Sequence, residues 1–369
     1  MRIQKLTKAL IIIHCLLFLI ACSEYSDPVQ TYSVDIQQRD SVSCFFTSYS
    51  YIPLETNENC MLGEVVGMKV NEDAIAIEDQ GRILLFQHDG KFISKIDKAG
   101  RGAGEYLSIE DFCVKDSTVY VLSRPQKIIL AYSWSGTFKQ GIELNDWYQH
   151  FQILDDEWMF LASENANDTG ANFVLFNYVT REYGDAFSPF EKNESVTFSS
   201  FSPFAGTFSG GLYVVHPFDY TIYQLGKSLF EPYCRFEFNT KKQIKKGETW
   251  MRLSDQTSNE NVVRYLDLYK EYNGSKYMTF DLFEEDYGYG AYIDKIEPDG
   301  THRLMRIYET FPADFPYLSA PWGIYKDAFY SIRPAFDILN IEGAYGLTLF
   351  HEKGLTKESN HVVFFHKLK

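Results

Sequence analysis

One phrase occurs twice in this chain, and it limits what the chain can become. Residues 74–96 read AIAIEDQGRILLFQHDGKFISKI, and residues 119–142 read VYVLSRPQKIILAYSWSGTFKQGI. Each holds an apolar strand, a polar break and a second apolar strand. An Asp-Gly or Ser-Gly turn follows, then a further strand opening on Lys-Phe or Thr-Phe. A looser copy runs over 212–225, LYVVHPFDYTIYQL, and 298–307, PDGTHRLMRI, repeats the turn and last strand. A period of about 40–46 residues with four strands per unit is the signature of a propeller blade. Leucine-rich, ankyrin and tetratricopeptide arrays need a helix in every repeat, and none is present. Asp-Gly marks tight hairpins because such turns need positive φ, and the segments between are rich in Tyr, Phe, Val and Ile.

The spacing predicts blades near 64–106, 107–146, 147–195, 196–240, 277–312 and 313–369. Residues 45–56, FFTSYSYIPLET, and 362–368, VVFFHKL, both read as strands. They are expected to share the last blade and so remove the open edges of the ring. Residues 241–276 break the pattern. Val262, Tyr265, Leu266 and Tyr269 recur at helical spacing, with Ser258 or Asn259 as a starting cap and Gly274 as a stop. The expected fold is therefore all-β: a six-bladed propeller of four-stranded antiparallel blades over 45–369, with one helix inserted between blades four and five.

The N-terminus has another character. Arg2, Lys5 and Lys8 precede an apolar run from Ala9 to Ala21, too short for a comfortable permanent span. Leu19-Ile20-Ala21-Cys22 resembles a bacterial lipobox. On that resemblance residues 1–21 are a signal peptide, Cys22 carries lipid, and 22–44 form a tether. Acyl chains would then hold the globular part at a membrane surface. Ser23, Glu24 and Asp27 follow the cysteine, as in Bacteroidota lipoproteins of the outer membrane. Cys44, Cys60, Cys113 and Cys234 show no C-x-x-C spacing, and their pairing is open from sequence; Cys113 reads as a small core residue.

Together the lipobox, YIPLET, HDGKFISKI and GRGAGEYLSIEDF resemble the six-bladed propeller lipoproteins of Bacteroidota, which are similar to NHL-repeat propellers. The closing FFHKLK fits that family's end. The resemblance implies a six-bladed ring and a cell-envelope location, and no settled reaction.

The chemistry must come from the residues. The net charge is −15. The expected signal takes away only basic residues, so nucleic acid is excluded as a partner. GRGAGEY lacks P-loop spacing and opens no helix, so it is no phosphate cradle. The histidines show no H-E-x-x-H pair, no G-x-S-x-G elbow is present, and no metal or cofactor is implied. Adjacent acids such as Glu110-Asp111 and Asp155-Asp156 read as solvated turns. Topology supplies the remaining inference. In an A-to-D blade, the B–C loop and the loop from D to the next A share one face. Asp79, Arg101, Glu105, Arg124, Trp147, His216 and Asp219 are thus expected around one channel mouth, with the Asp-Gly turns on the other face. Arg101 and Arg124 would suit an anionic group there. The expected function is a binding or scaffold module for a glycan, peptide or protein partner. The alternative is an envelope lyase or hydrolase at that mouth.

Overall fold

The computed structural model describes residues 29–163, 169–189, 202–216, 219–240, 262–284, 288–307 and 315–369. Strands β1 (Gln30–Val34) and β2 (Phe46–Pro53) precede the first blade. Blade one is β3 (Val65–Val70), β4 (Ile75–Asp79), β5 (Arg82–Phe86) and β6 (Phe92–Ile96). Blade two is β7 (Asp111–Lys115), β8 (Thr118–Ser123), β9 (Ile128–Ser133) and β10 (Phe138–Glu143). Blade three is β11 (His150–Ile153), β12 (Trp158–Ala162), β13 (Ala171–Asn177) and β14 (Glu182–Pro189). Blade four is β15 (Phe204–Phe208), β16 (Gly211–His216), β17 (Asp219–Gly226) and β18 (Leu229–Phe238). Blade five is β19 (Val262–Tyr272), β20 (Ser275–Glu284), β21 (Gly288–Ile296) and β22 (His302–Ile307). Blade six is β23 (Gly323–Tyr325), β24 (Ala328–Arg333) and β25 (Val362–Leu368), with β2 as its outermost strand.

The ring closes as the sequence predicts. β2 runs antiparallel to β25, from Phe46 opposite Leu368 to Pro53 opposite Val362. The first strand of each blade is innermost: β7 neighbours β11, β15 neighbours β19, and β23 neighbours β3. Every residue of β4 and β8 is buried, which is why both read as unbroken apolar runs. A separate apolar layer fills each gap between blades. Ile83 and Leu85 of blade one meet Val119 and Val121 of blade two, and Phe173 of blade three meets Val214 of blade four. Each such side chain contributes about 1.5–3 kcal/mol. The Asp89-Gly90 turn shows how the repeat locks. Gly90 has φ +85°, and an added Cβ would lie 2.1 Å from the Pro53 carbonyl of blade six. Only glycine lets this turn dock on the preceding blade.

Residues 262–272 correct the helix expectation; 241–261 lie outside the described residues. This stretch is β19, the inner strand of blade five, and that blade begins earlier than its predicted start at 277. Val263, Leu266 and Tyr269 are buried, a spacing of three that mimics a helix. The cause is two breaks of register against β20, between Val263 and Tyr265 and between Leu266 and Tyr269. Each bulge shifts the alternation by one residue. The freed N–H of Leu268 donates to the Thr279 hydroxyl at 2.8 Å. Asn273 and Gly274 both have positive φ, so the expected helix stop is a hairpin turn.

The segment expected as a tether contributes to the fold from Gln30 onward. β1 pairs in parallel with β18, giving blade four a fifth strand. Asp40 then binds blade five: its N–H donates to Leu304 O at 2.7 Å, and its carboxylate accepts from Leu304 N at 3.0 Å and Arg303 at 3.2 Å. Residues 30–53 thus form a belt across the rims of blades four, five and six. Two helices, α1 (Ala335–Tyr345) and α2 (Leu349–Glu352), sit in the long connection from β24 to β25. Buried Glu342 joins them, accepting from Tyr317 and from the N–H groups of Phe350 and His351. Cys44, Cys60, Cys113 and Cys234 are unpaired thiols.

Candidate functional site

The glycine-rich loop between β6 and β7 is closed by its own chain. Gly100 N–H donates to Tyr106 O at 2.9 Å, and Tyr106 N–H donates to Lys98 O at 3.0 Å. Glu105 folds inward and accepts from Gly102 N–H at 2.7 Å. A Cβ on Gly100 would meet that carboxylate at 2.0 Å. Gly104 has φ +75°, and a Cβ there would meet the Phe138 ring at 2.5 Å. Tyr106 is fully buried and donates to Gly81 O at 2.9 Å, while Tyr132 donates to Gly104 O at 2.9 Å. The loop is therefore a rigid clamp between blades one and two.

A strip of side chains crosses this face from the loop towards blade three. Gln126 donates to Glu105 O and accepts from Leu107 N–H. Its neighbour Lys127 places its ammonium 3.8 Å from the centre of the Trp147 ring. Trp147 is 52% exposed and Leu107 40%. Arg124 reaches Glu110 at 3.9 Å, and its Nε is buried without a hydrogen-bond partner. Arg101 is exposed, and no hydrogen bond or ion pair holds it among the described residues. Glu105, Gln126, Lys127 and Trp147 thus follow one another through these contacts and chain neighbours, with Arg101 on the same loop as Glu105.

The other expected mouth residues have internal partners. Asp79 is fully buried, accepting from Arg82 at 2.6 Å and from Gly63 N–H at 3.0 Å. His216 is buried among the rings of Phe173, Tyr223 and Phe230 and bonds Ser188 at 3.1 Å. Asp219 accepts from Tyr223 at 2.6 Å and from Thr221 N–H at 3.0 Å.

Inside the ring lies a polar group that the motif search did not assemble. Lys69 on β3 approaches Asp111 on β7 at 3.8 Å. His150 on β11 faces Asp111 from the other side, Nδ1 to Oδ2 at 3.4 Å. Its Nε2 is buried with no partner, and the residue is 7% exposed. Lys69 influences, and is influenced by, Asp267 on β19. These residues sit on the first, innermost strands of blades one, two, three and five. The Lys69 side chain is 37% exposed. Burial pushes the Asp267 carboxyl up to about 7, with Lys69 opposing and Asp281 adding. Burial does the same to Glu78, up to about 7, helped by Asp111 and Glu110. Asp111 resists burial and stays below its usual range because of Lys69 and His150. Asp111 is thus no solvated turn. Cys113 lies beside this group and packs against the core between blades two and three, its thiol pushed up to about 11 by burial. A signal was present: KV, DFCV, HFQI and LDLY each put a polar residue into the first apolar strand of a blade. Among the described residues no three His, Cys, Asp or Glu side chains are arranged to hold a metal ion.

The profile of the family described as Domain of unknown function (DUF4934) matches residues 29–367, and the chain belongs to that family. A Bacteroides fragilis protein named as exported superposes with a TM-score of 0.70 at 17% identity, over 92% of this chain and 100% of its own. A DUF4221 family member from Bacteroides vulgatus gives 0.53 at 12% identity, over 88% of this chain and 97% of its own. These likenesses establish the ring. No curated protein sequence matches the chain.

Proposed function

We propose that this DUF4934 propeller is a cell-envelope binding module, tethered by lipid on Cys22, that grips an acidic glycan along the strip from Arg101 to Trp147. The exposed, unpartnered Arg101 carries the reading. A free guanidinium on a chain of net charge −15 calls for a carboxylate in bidentate geometry. Trp147 supplies a flat, half-exposed ring with Lys127 against it, a surface suited to stacking a sugar. The rigid glycine clamp beneath holds these groups in place at little ordering cost. The envelope location draws support from the N-terminal sequence and from the exported name of the B. fragilis structure.

The test is titration of the full chain, in detergent, with polygalacturonate, dextran and poly-glutamate. Polygalacturonate is expected to bind, and Arg101→Ala or Trp147→Ala to weaken it by about tenfold, or 1.4 kcal/mol. Equal binding of dextran, or indifference to both substitutions, contradicts the reading.

A further inference from the structure

The face opposite the glycine-rich loop carries the turns inside each blade, and side chains there link neighbouring blades. Asn71 of blade one donates to Val114 O of blade two at 2.9 Å, and Lys115 of blade two pairs with Asp156 of blade three. Lys326 of blade six reaches Glu72 of blade one at 2.9 Å. The gap between blades three and four is built differently. The first turn of blade four, between β15 and β16, is Ser209-Gly210, and Gly210 has φ +104° with open space where a Cβ would stand. A Cβ on Gly211 would lie 2.3 Å from the Leu225 carbonyl. Two consecutive positions thus present bare backbone, and a cavity of 460 Å³ opens beside them. Ile153 and Leu154 of blade three and Phe208 and Leu212 of blade four give it apolar walls. Asp155 and Lys227 line it as an ion pair at 2.7 Å, with side chains 43% and 46% exposed. Asp155 Oδ1 accepts from the N–H groups of Glu157 and Trp158, at 3.0 and 2.9 Å, which fixes the carboxylate. Its Oδ2 takes one Lys227 N–H, and a carboxylate oxygen has room for a second donor. The ammonium carries three N–H donors and directs one at Asp155. The pair can therefore accept one hydrogen bond and donate another at adjacent points.

We propose that this cavity is a second binding site, for a neutral hexopyranose, with two neighbouring hydroxyls on Asp155 and Lys227 and a C–H face of the ring against Phe208 and Leu212. One hydroxyl donates to Asp155 Oδ2, and its neighbour accepts from the Lys227 ammonium. Thr207, also in the lining, adds a third hydrogen-bonding group. The volume falls within the usual span of small-molecule sites, about 300–1,000 Å³, and apolar walls with a few convergent polar groups are their usual make-up. Net charge works against the ionic alternatives. An anion would compete with Asp155 for Lys227 and be repelled by Asp155, and an amine would meet the converse from Lys227. A neutral diol uses both groups and leaves their pair intact. The site is thus opposite, in face and in preference, to the strip from Arg101 to Trp147, and it does not rest on that reading.

The experiment is saturation-transfer resonance titration of galactose, mannose and galacturonate against the full chain in detergent. It is run on the parent and on Arg101→Ala, so that any contribution of the face strip is recognised. Galactose or mannose is expected to bind both proteins alike, with a millimolar dissociation constant. On Arg101→Ala, galacturonate should bind more weakly than that sugar. Lys227→Met and Asp155→Asn should each weaken the neutral sugar about tenfold, and the asparagine keeps the Oδ1 acceptor that holds the turn. Thr207→Trp should fill the cavity and abolish binding. Circular dichroism and melting should stay unchanged in the Lys227 and Asp155 variants, so their loss reads the site and not the fold. The proposal is overturned if neither neutral sugar binds at about 50 mM. It is also overturned if Lys227→Met and Thr207→Trp bind as the parent does, or if galacturonate binds Arg101→Ala as well as the neutral sugar with the same dependence on Lys227.

Discussion

Blades four to six and blades one to three solve the same edge problem differently. The first group wears a belt. β1 covers the outer strand of blade four, Asp40 and its neighbours bind blade five, and β2 completes blade six. The second group ends in outer strands with no further strand paired to them among the described residues, β6, β10 and β14; β10 and β14 are largely exposed and β6 is half-buried. Charges such as Lys139, Glu182 and Asp185 protect β10 and β14 from edge pairing. Their rigidity comes instead from the loop clamp, where buried Tyr106 and Tyr132 tie blade one to blade two. The candidate binding strip lies on this unbelted half. The difference teaches that ring closure and the proposed binding strip fall on opposite sides of the ring.

Removing residues 30–44 attacks the belt most directly. The loss should be about 4–6 kcal/mol, from stripping β1 with buried Val34 and Ile36 and the Asp40 hydrogen bonds. Hydrogen exchange should quicken in blades four and five while blades one to three keep their protection. Uniform loss across all six blades would break the comparison.

Acid should weaken the closing blade specifically. Burial pushes the His366 imidazole down to about 3, with Arg333 adding, and pushes His361 down to about 4, with Asp79 opposing. The unfolded chain takes up these protons near the model-compound value of 6.5, and the folded chain does not. Their contribution is therefore full above pH 6.5 and is lost as pH falls towards the folded values. Each group costs about 1.4 kcal/mol per pH unit in that window. His366 packs against the rings of Phe46, Tyr49, Phe315 and Phe364, and its Nε2 has no hydrogen-bond partner. His366→Phe should thus melt like the parent at pH 7.5 and gain on it steadily between pH 6 and pH 4. Parallel melting curves across that range would remove blade six as the acid-sensitive element.

Within the bare half the glycines should separate. Gly104→Ala meets both positive φ and the Phe138 ring, and should cost about 1–3 kcal/mol. Gly102→Ala meets only the flexible end of Glu105, at 3.0 Å, and should cost under about 0.5 kcal/mol. Urea melts decide it, and equal costs would mean the loop is not a clamp.

The ring was legible because its information is local. A strand, a polar break and a Gly turn recur within forty-odd residues, and the C-terminal VVFFHKL and the N-terminal FFTSYSYIPLET both read as strands able to pair. β19 was not legible, since two bulges disguised a strand as a helix. The belt was missed for a related reason. β1 pairs with β18 about two hundred positions away, and a five-residue polar strand carries no periodic signal of that. For the expected mouth, topology put Arg101, Glu105, Arg124 and Trp147 on neighbouring loops, and the proposed function takes them up. It could not foresee that Asp79 would turn to Arg82, or His216 to an aromatic nest. The channel group escaped a search for motifs because its members sit on four different blades and become neighbours only when the ring closes.

The most direct test of the proposed function is resonance mapping on the full chain with galacturonate oligomers. The account predicts shifts at the Trp147 indole N–H and the Arg101 Nε–H, with neighbouring changes at Lys127 and Leu107 and none around His216 and Asp219. Shifts centred on blade four, or none at saturating oligomer, would contradict it.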